Sequence, residues 1–107
     1  MRSRILIVGL FLWSAQIMAQ NDAGPRPARL GLCAACHGET GIGQAAGAPN
    51  LAGQREDYLR LALREYRDGR RAIPLMRAAI GPISEAELDQ LAHWYSRQTP
   101  AATKGKP

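Results

Sequence analysis

Phenylalanine is absent beyond residue 11, and the only β-branched residues after Gln20 are Thr40, Ile42, Ile73, Ile80, Ile83, Thr99 and Thr103. Strands draw on β-branched and aromatic side chains, so a sheet is excluded as the framework. Cysteine is as scarce, with two in 107 residues. That is too few for a disulfide scaffold or for the two paired knuckles of a zinc ribbon. The glycines lack the G-x-G-x-x-G and G-x-x-x-x-G-K spacings, which rules out a phosphate-cradling loop. Lysine occurs only at 104 and 106.

What is present divides the sequence into four parts. Residues 1–19 have the form of a signal peptide: Arg2 and Arg4 are its charged start, Ile5 to Trp13 its apolar run, and Ile17-Met18-Ala19 its cleavage site. The apolar run is short for a membrane span, which takes about 20 residues, so export to the periplasm is expected ahead of an uncleaved anchor. Residues 20–29 are a proline-bearing lead-in, 30–98 the folded domain, and 99–107 a loose basic tail. Without the leader the formal charge of +5 falls to about +3, carried by twelve basic against nine acidic groups. Export and the lack of a binding motif oppose a nucleic-acid partner.

Both cysteines lie in Cys33-Ala34-Ala35-Cys36-His37, together with one of the two histidines. In an exported protein this C-x-x-C-H spacing is the haem attachment signature. Thiols three apart on a helical turn share one edge, so both reach the vinyl groups of one porphyrin. The next side chain then projects its imidazole at the iron, making His37 the proximal ligand. A zinc site would have to recruit the distant His93, a thioredoxin-like pair needs a βαβ setting, and a simple disulfide leaves His37 unexplained. Residues 20–107 are also few for a single apolar core. A buried porphyrin supplies the missing core, and the haem-free protein is expected to be largely unfolded.

The remaining sequence supports that cofactor. A short helix is expected from about Pro27 to Ala35, leading into the motif. Gly38, Gly41, Gly43 and Gly47 then make a loop able to pass close to a flat cofactor. A ligating imidazole needs an acceptor for its other N–H, and the loop at Pro49 is a candidate to present a backbone carbonyl. Glu56 to Asp68 has helical period, with Tyr58, Leu59, Ala62, Leu63 and Tyr66 on one face and Arg60 and Arg64 expected beside Glu56 and Asp68. Arg70 to Met76 is expected to be irregular. Met76, the only methionine after the leader, is placed to return over the other porphyrin face as sixth ligand. Ser84 to Gln98 forms a closing helix, with a Ser84/Glu87 capping box and an Ile83–Leu88 staple. His93 lies off its buried stripe, as a surface histidine or, less favoured, an alternative axial ligand.

These residues resemble the small class I bacterial cytochromes c, in the branch whose two-haem members are built from two such domains. The likeness runs from about Leu30 to Gln98 through Cys33-Ala-Ala-Cys36-His37-Gly38, Pro49-Asn-Leu-Ala-Gly53-Gln54, Tyr58-Leu59, Tyr66, Gly69, Met76, Ser84-Glu85 and the helix from Leu91 to Tyr95. The resemblance implies an all-α fold with a few short helices around one haem c, thioethers at Cys33 and Cys36, and axial ligands His37 and Met76. It further implies a hydrogen bond from His37 to the Pro49 carbonyl. The implied role is single-electron transfer between periplasmic or membrane-bound redox proteins, such as a dehydrogenase, oxidase or reductase. Neither bond-making on a small-molecule substrate nor enzyme activity is expected. The rival function is a haem-binding subunit or ligand-binding module with a displaceable sixth ligand. Arg55, Arg70, Arg71 and Arg77 are expected to steer an acidic partner.

Overall fold

The computed structural model describes residues 22–102. The leader expected at 1–19 and the last five residues of the tail lie outside them. Four helices and no strand make up the described residues: α1 (Leu30–His37), α2 (Glu56–Arg67), α3 (Pro74–Ile80) and α4 (Glu85–Ser96). Among these residues no helix is long and apolar enough to cross a membrane.

Helix α1 starts three residues later than its proline suggested and runs on through His37. Pro27 instead opens a separate turn, in which the Leu30 N–H donates to the Pro27 carbonyl at 3.1 Å. Leu30 is fully buried and plants the helix in the core.

On α2, Leu59 and Ala62 are buried, Leu63 and Tyr66 pack against the core from its edge, and Tyr58 is exposed. The expected pairing of Arg60 with Glu56 is present at 3.2 Å. Arg64 does not pair with Asp68. It reaches across to Glu85 and Asp89 on α4, and Arg67 joins it on Glu85 at 2.6 Å. These cations tie two helices together, because the α2 face that carries them points along the partner helix.

Helix α3 begins inside the segment expected to be irregular, at Pro74, and runs on to Ile80. Pro74 occupies its first turn, where a missing N–H and a fixed φ are tolerated. The following Leu75-Met76-Arg77-Ala78-Ala79 are all helix formers. Here the proline starts a helix and does not break one.

Helix α4 begins as expected. The Glu87 N–H donates to the Ser84 hydroxyl at 3.2 Å, and the Glu87 carboxylate accepts from the Ser84 N–H at 2.9 Å. Ile83 and Leu88 are both buried in a core shared with Leu30, Leu59, Ile80, Leu91, Ala92 and Tyr95. Every helix contributes to this core.

Candidate haem-binding site

The last turn of α1 carries the whole motif. Cys33 and Cys36 are half-buried and unbridged, and Cys33 packs against the core. Burial pushes its thiol up from the ordinary value, which keeps it protonated. His37 is the last residue of the helix and only 8% exposed.

Immediately after His37 the backbone must turn sharply. Gly38 has φ +79°, and a Cβ there would lie 2.3 Å from the Ile42 carbonyl oxygen. Gly41, at φ +81°, would place a Cβ 2.6 Å from the Ala52 backbone nitrogen and 2.9 Å from the Tyr95 ring. Only glycine fits such conformations and approaches. The Cys36 carbonyl accepts from Gln44 and Ala45, the Gly41 carbonyl from Leu51 and Ala52, and Asn50 Oδ1 from the Gly43 N–H. The loop is thereby folded back on the motif.

That return brings the Pro49 carbonyl 2.9 Å from His37 Nδ1. A carbonyl can only accept, so Nδ1 is the donor here and Nε2 is the ring nitrogen left out of this bond. An acceptor on one ring nitrogen sets the tautomer with which the other ligates metal.

Helix α4 holds the same turn from the opposite side. The Tyr95 hydroxyl donates to the Gly38 carbonyl at 2.9 Å, and Trp94 Nε1 donates to the Glu39 carbonyl at 2.8 Å. Burial raises the Tyr95 phenol well above its usual range, with Cys33 and Glu39 adding to the effect, so it remains a donor. Neither contact is foreseen by the sequence pattern, which marks only a closing helix through Leu91 to Tyr95. Adjacent aromatics with polar tips on a closing helix are the available signal. Tyr95→Phe leaves the Gly38 carbonyl without that partner and is expected to cost about 1–2 kcal/mol. For a domain of this size that lowers the melting temperature by roughly 4–8 °C per kcal/mol, readable by circular dichroism.

Met76 lies in α3, partly buried against the core. His93 is taken up elsewhere: Nδ1 sits 3.0 Å from Glu56 Oε1 and Nε2 3.0 Å from the Asp22 carbonyl oxygen. It bridges α4, α2 and the lead-in. Among the described residues, no three His, Cys, Asp or Glu side chains converge as a metal site of their own. Three of the four arginines expected to steer a partner are neutralised locally, Arg55 by Asp57, Arg70 by Asp68 and Arg71 by Glu65.

The donor set fits a covalently attached porphyrin. It offers two unbridged thiols one helical turn apart and an imidazole held at Nδ1 by Pro49, all on a helix anchored through Leu30 in an all-α core. That combination defines the class I c-type cytochromes.

Comparison with known proteins agrees: the chain belongs to the cytochrome c family, whose model matches residues 22–96. It is 39% identical over 104 residues to the thiosulfate dehydrogenase electron acceptor of Thiomonas intermedia, covering 96% of this chain and 45% of that protein. It is 38% identical over 80 residues to cytochrome c-554(548) of Halomonas halodenitrificans, covering 72% of this chain and 96% of that one. The solved cytochrome c4 of Acidithiobacillus ferrooxidans superposes with a TM-score of 0.57 at 35% identity, over 61% of this chain and 37% of that protein. The sequence thus spans less than half the length of the Thiomonas relative and of the solved cytochrome c4. Its cofactor is haem c, held through Cys33 and Cys36.

Proposed function

We propose that this cytochrome is a periplasmic electron carrier whose single haem is ligated by His37 and Met76. The observation that carries the proposal is the buried His37 ring, oriented by Pro49 so that Nε2 faces away from its hydrogen bond. Haem supplies a one-electron ferric/ferrous couple when bound. The protein's part is to hold the ligands still. Pro49 fixes the imidazole, Cys33 and Cys36 would anchor the porphyrin, and Met76 on α3 would supply the second protein ligand. A neutral thioether opposite an imidazole favours the ferrous form and raises the potential, and burial disfavours the extra ferric charge.

Export rests on the form of residues 1–19. The Thiomonas relative is named as the electron acceptor of a thiosulfate dehydrogenase, which supports a dehydrogenase as donor for this protein. An oxidase or reductase in the membrane or periplasm serves as the acceptor. Contact with either partner takes place where Ala35 and the loop after Gly43 are exposed, and encounters of this kind are small and transient.

The test is the purified protein made with haem-attachment machinery. A red product with one reversible one-electron wave, a sulfur–iron charge-transfer band at the red end of the ferric spectrum and slow carbon monoxide binding is expected. Rapid carbon monoxide binding by the ferrous form would make it a ligand-binding module instead.

A further inference from the structure

Arg70 and Arg71 are neighbours in sequence with very different surroundings. The Arg70 side chain is 62% exposed and donates to the Asp68 carboxylate at 2.9 Å. Arg71 lies against α2 with its side chain 33% exposed. Its Nε donates to Glu65 Oε2 at 2.8 Å, and its guanidinium carbon lies 5.6 Å from the ring centroids of both Tyr58 and Tyr66. Its backbone N–H donates to the Glu65 carbonyl at 3.1 Å. Tyr58 and Glu65 are two helical turns apart and Tyr66 adjoins Glu65, so one face of α2 forms the whole receptacle.

Arg71 is also a link in the series of hydrogen bonds that leads to α3. The Ile73 N–H donates to the Arg71 carbonyl at 3.0 Å, and the Arg77 N–H donates to the Ile73 carbonyl at 3.1 Å, closing the first turn around Met76. Four residues separate Arg71 from Met76. Methionine has three rotatable side-chain bonds, so its sulfur is only as well placed as the backbone that bears it.

We propose that Arg71 is a positioning residue for the axial thioether, its stacking between Tyr58 and Tyr66 and its pairing with Glu65 fixing to α2 the segment that carries Met76. The proposal rests on the reading of Met76 as sixth ligand. Arginine suits the place because its planar fork pairs with a carboxylate while its faces stack on rings, which lysine cannot reproduce. Its neutralised charge takes little part in steering a partner. It sets how often the iron position opposite His37 is left unguarded.

A competing ligand measures that directly, since its apparent affinity scales with the fraction of protein in which the thioether is away. Imidazole is titrated into the ferric holoprotein well below its melting temperature, with the sulfur–iron band recorded alongside. Arg71→Gln is expected to tighten imidazole binding about tenfold, equivalent to about 1.4 kcal/mol, and to weaken the band. Arg71→Lys, which keeps the charge and a contact to Glu65, is expected to fall between, and Arg70→Gln to match the wild type. Met76→Ala sets the ceiling. If Met76→Ala leaves imidazole affinity unchanged, the ligand assignment itself fails. If Met76→Ala tightens binding while Arg71→Gln and Arg71→Lys match the wild type, the positioning role is overturned, even where melting temperature drops. Should Arg71→Gln not fold, the lysine variant alone decides, with wild-type affinity counting against the proposal.

Discussion

Met76→Ala is expected to abolish the sulfur–iron band, lower the midpoint potential and open the ferrous protein to carbon monoxide. Axial ligands tune haem potentials over about 0.8 V, so the loss of a neutral thioether should shift the midpoint by a sizeable part of that range. The fold should survive. Met76 is only partly buried and borders the core without belonging to its centre, so the cost belongs at or below the low end of the about 2–5 kcal/mol typical of a buried methionine truncation. His93 is not free to replace the lost ligand, since both its ring nitrogens are engaged, one by Glu56 and the other by the Asp22 carbonyl. Spectrum, potentiometry and a carbon monoxide titration check the three effects separately. An unchanged spectrum and potential would remove Met76 from the iron and return the protein to the ligand-binding reading.

The double substitution Cys33→Ala, Cys36→Ala is expected to remove covalent haem and, with it, cooperative unfolding. The buried apolar cluster holds eight side chains, Leu30, Leu59, Ile80, Ile83, Leu88, Leu91, Ala92 and Tyr95. Leu32, Ile73 and Leu75 stay exposed. A domain this small buries too little surface to stand comfortably alone. The helices have little independent stability either, since α1 and α3 are eight and seven residues long and isolated helices under about 12–15 residues are marginal. Circular dichroism of the variant should show reduced helix and a gradual, featureless thermal trace. A sharp transition would mean that the polypeptide core suffices and that haem is a passenger in the folding.

Helices α2 and α4 are legible in the sequence because their apolar period, acidic starts and capping box are local signals, and those signals agree with the packing. The attachment motif is legible because its chemistry demands adjacent residues. Helix α3 is not. Arg70-Arg71-Ala72-Ile73-Pro74 has no period, and whether a proline begins or breaks a helix depends on what the following residues pack against. Ile80 at the far end of α3 is 1% exposed, and that burial settles it. The cross-helix bonds of Arg64 and Arg67 are hidden for a similar reason, as sequence spacing pairs them only within their own helix.

Residue order alone dictated the chemistry of the two thiols and the imidazole, the exclusion of strands, and where the two long helices lie, because each depends on groups a few positions apart. Tertiary structure decided that Tyr95 and Trp94 would grip the turn after His37, and that α2 would clasp Arg71 ahead of Met76. Most of those contacts join residues 12 or more positions apart, and such distances close only when burial of a shared core fixes the path of the backbone between them.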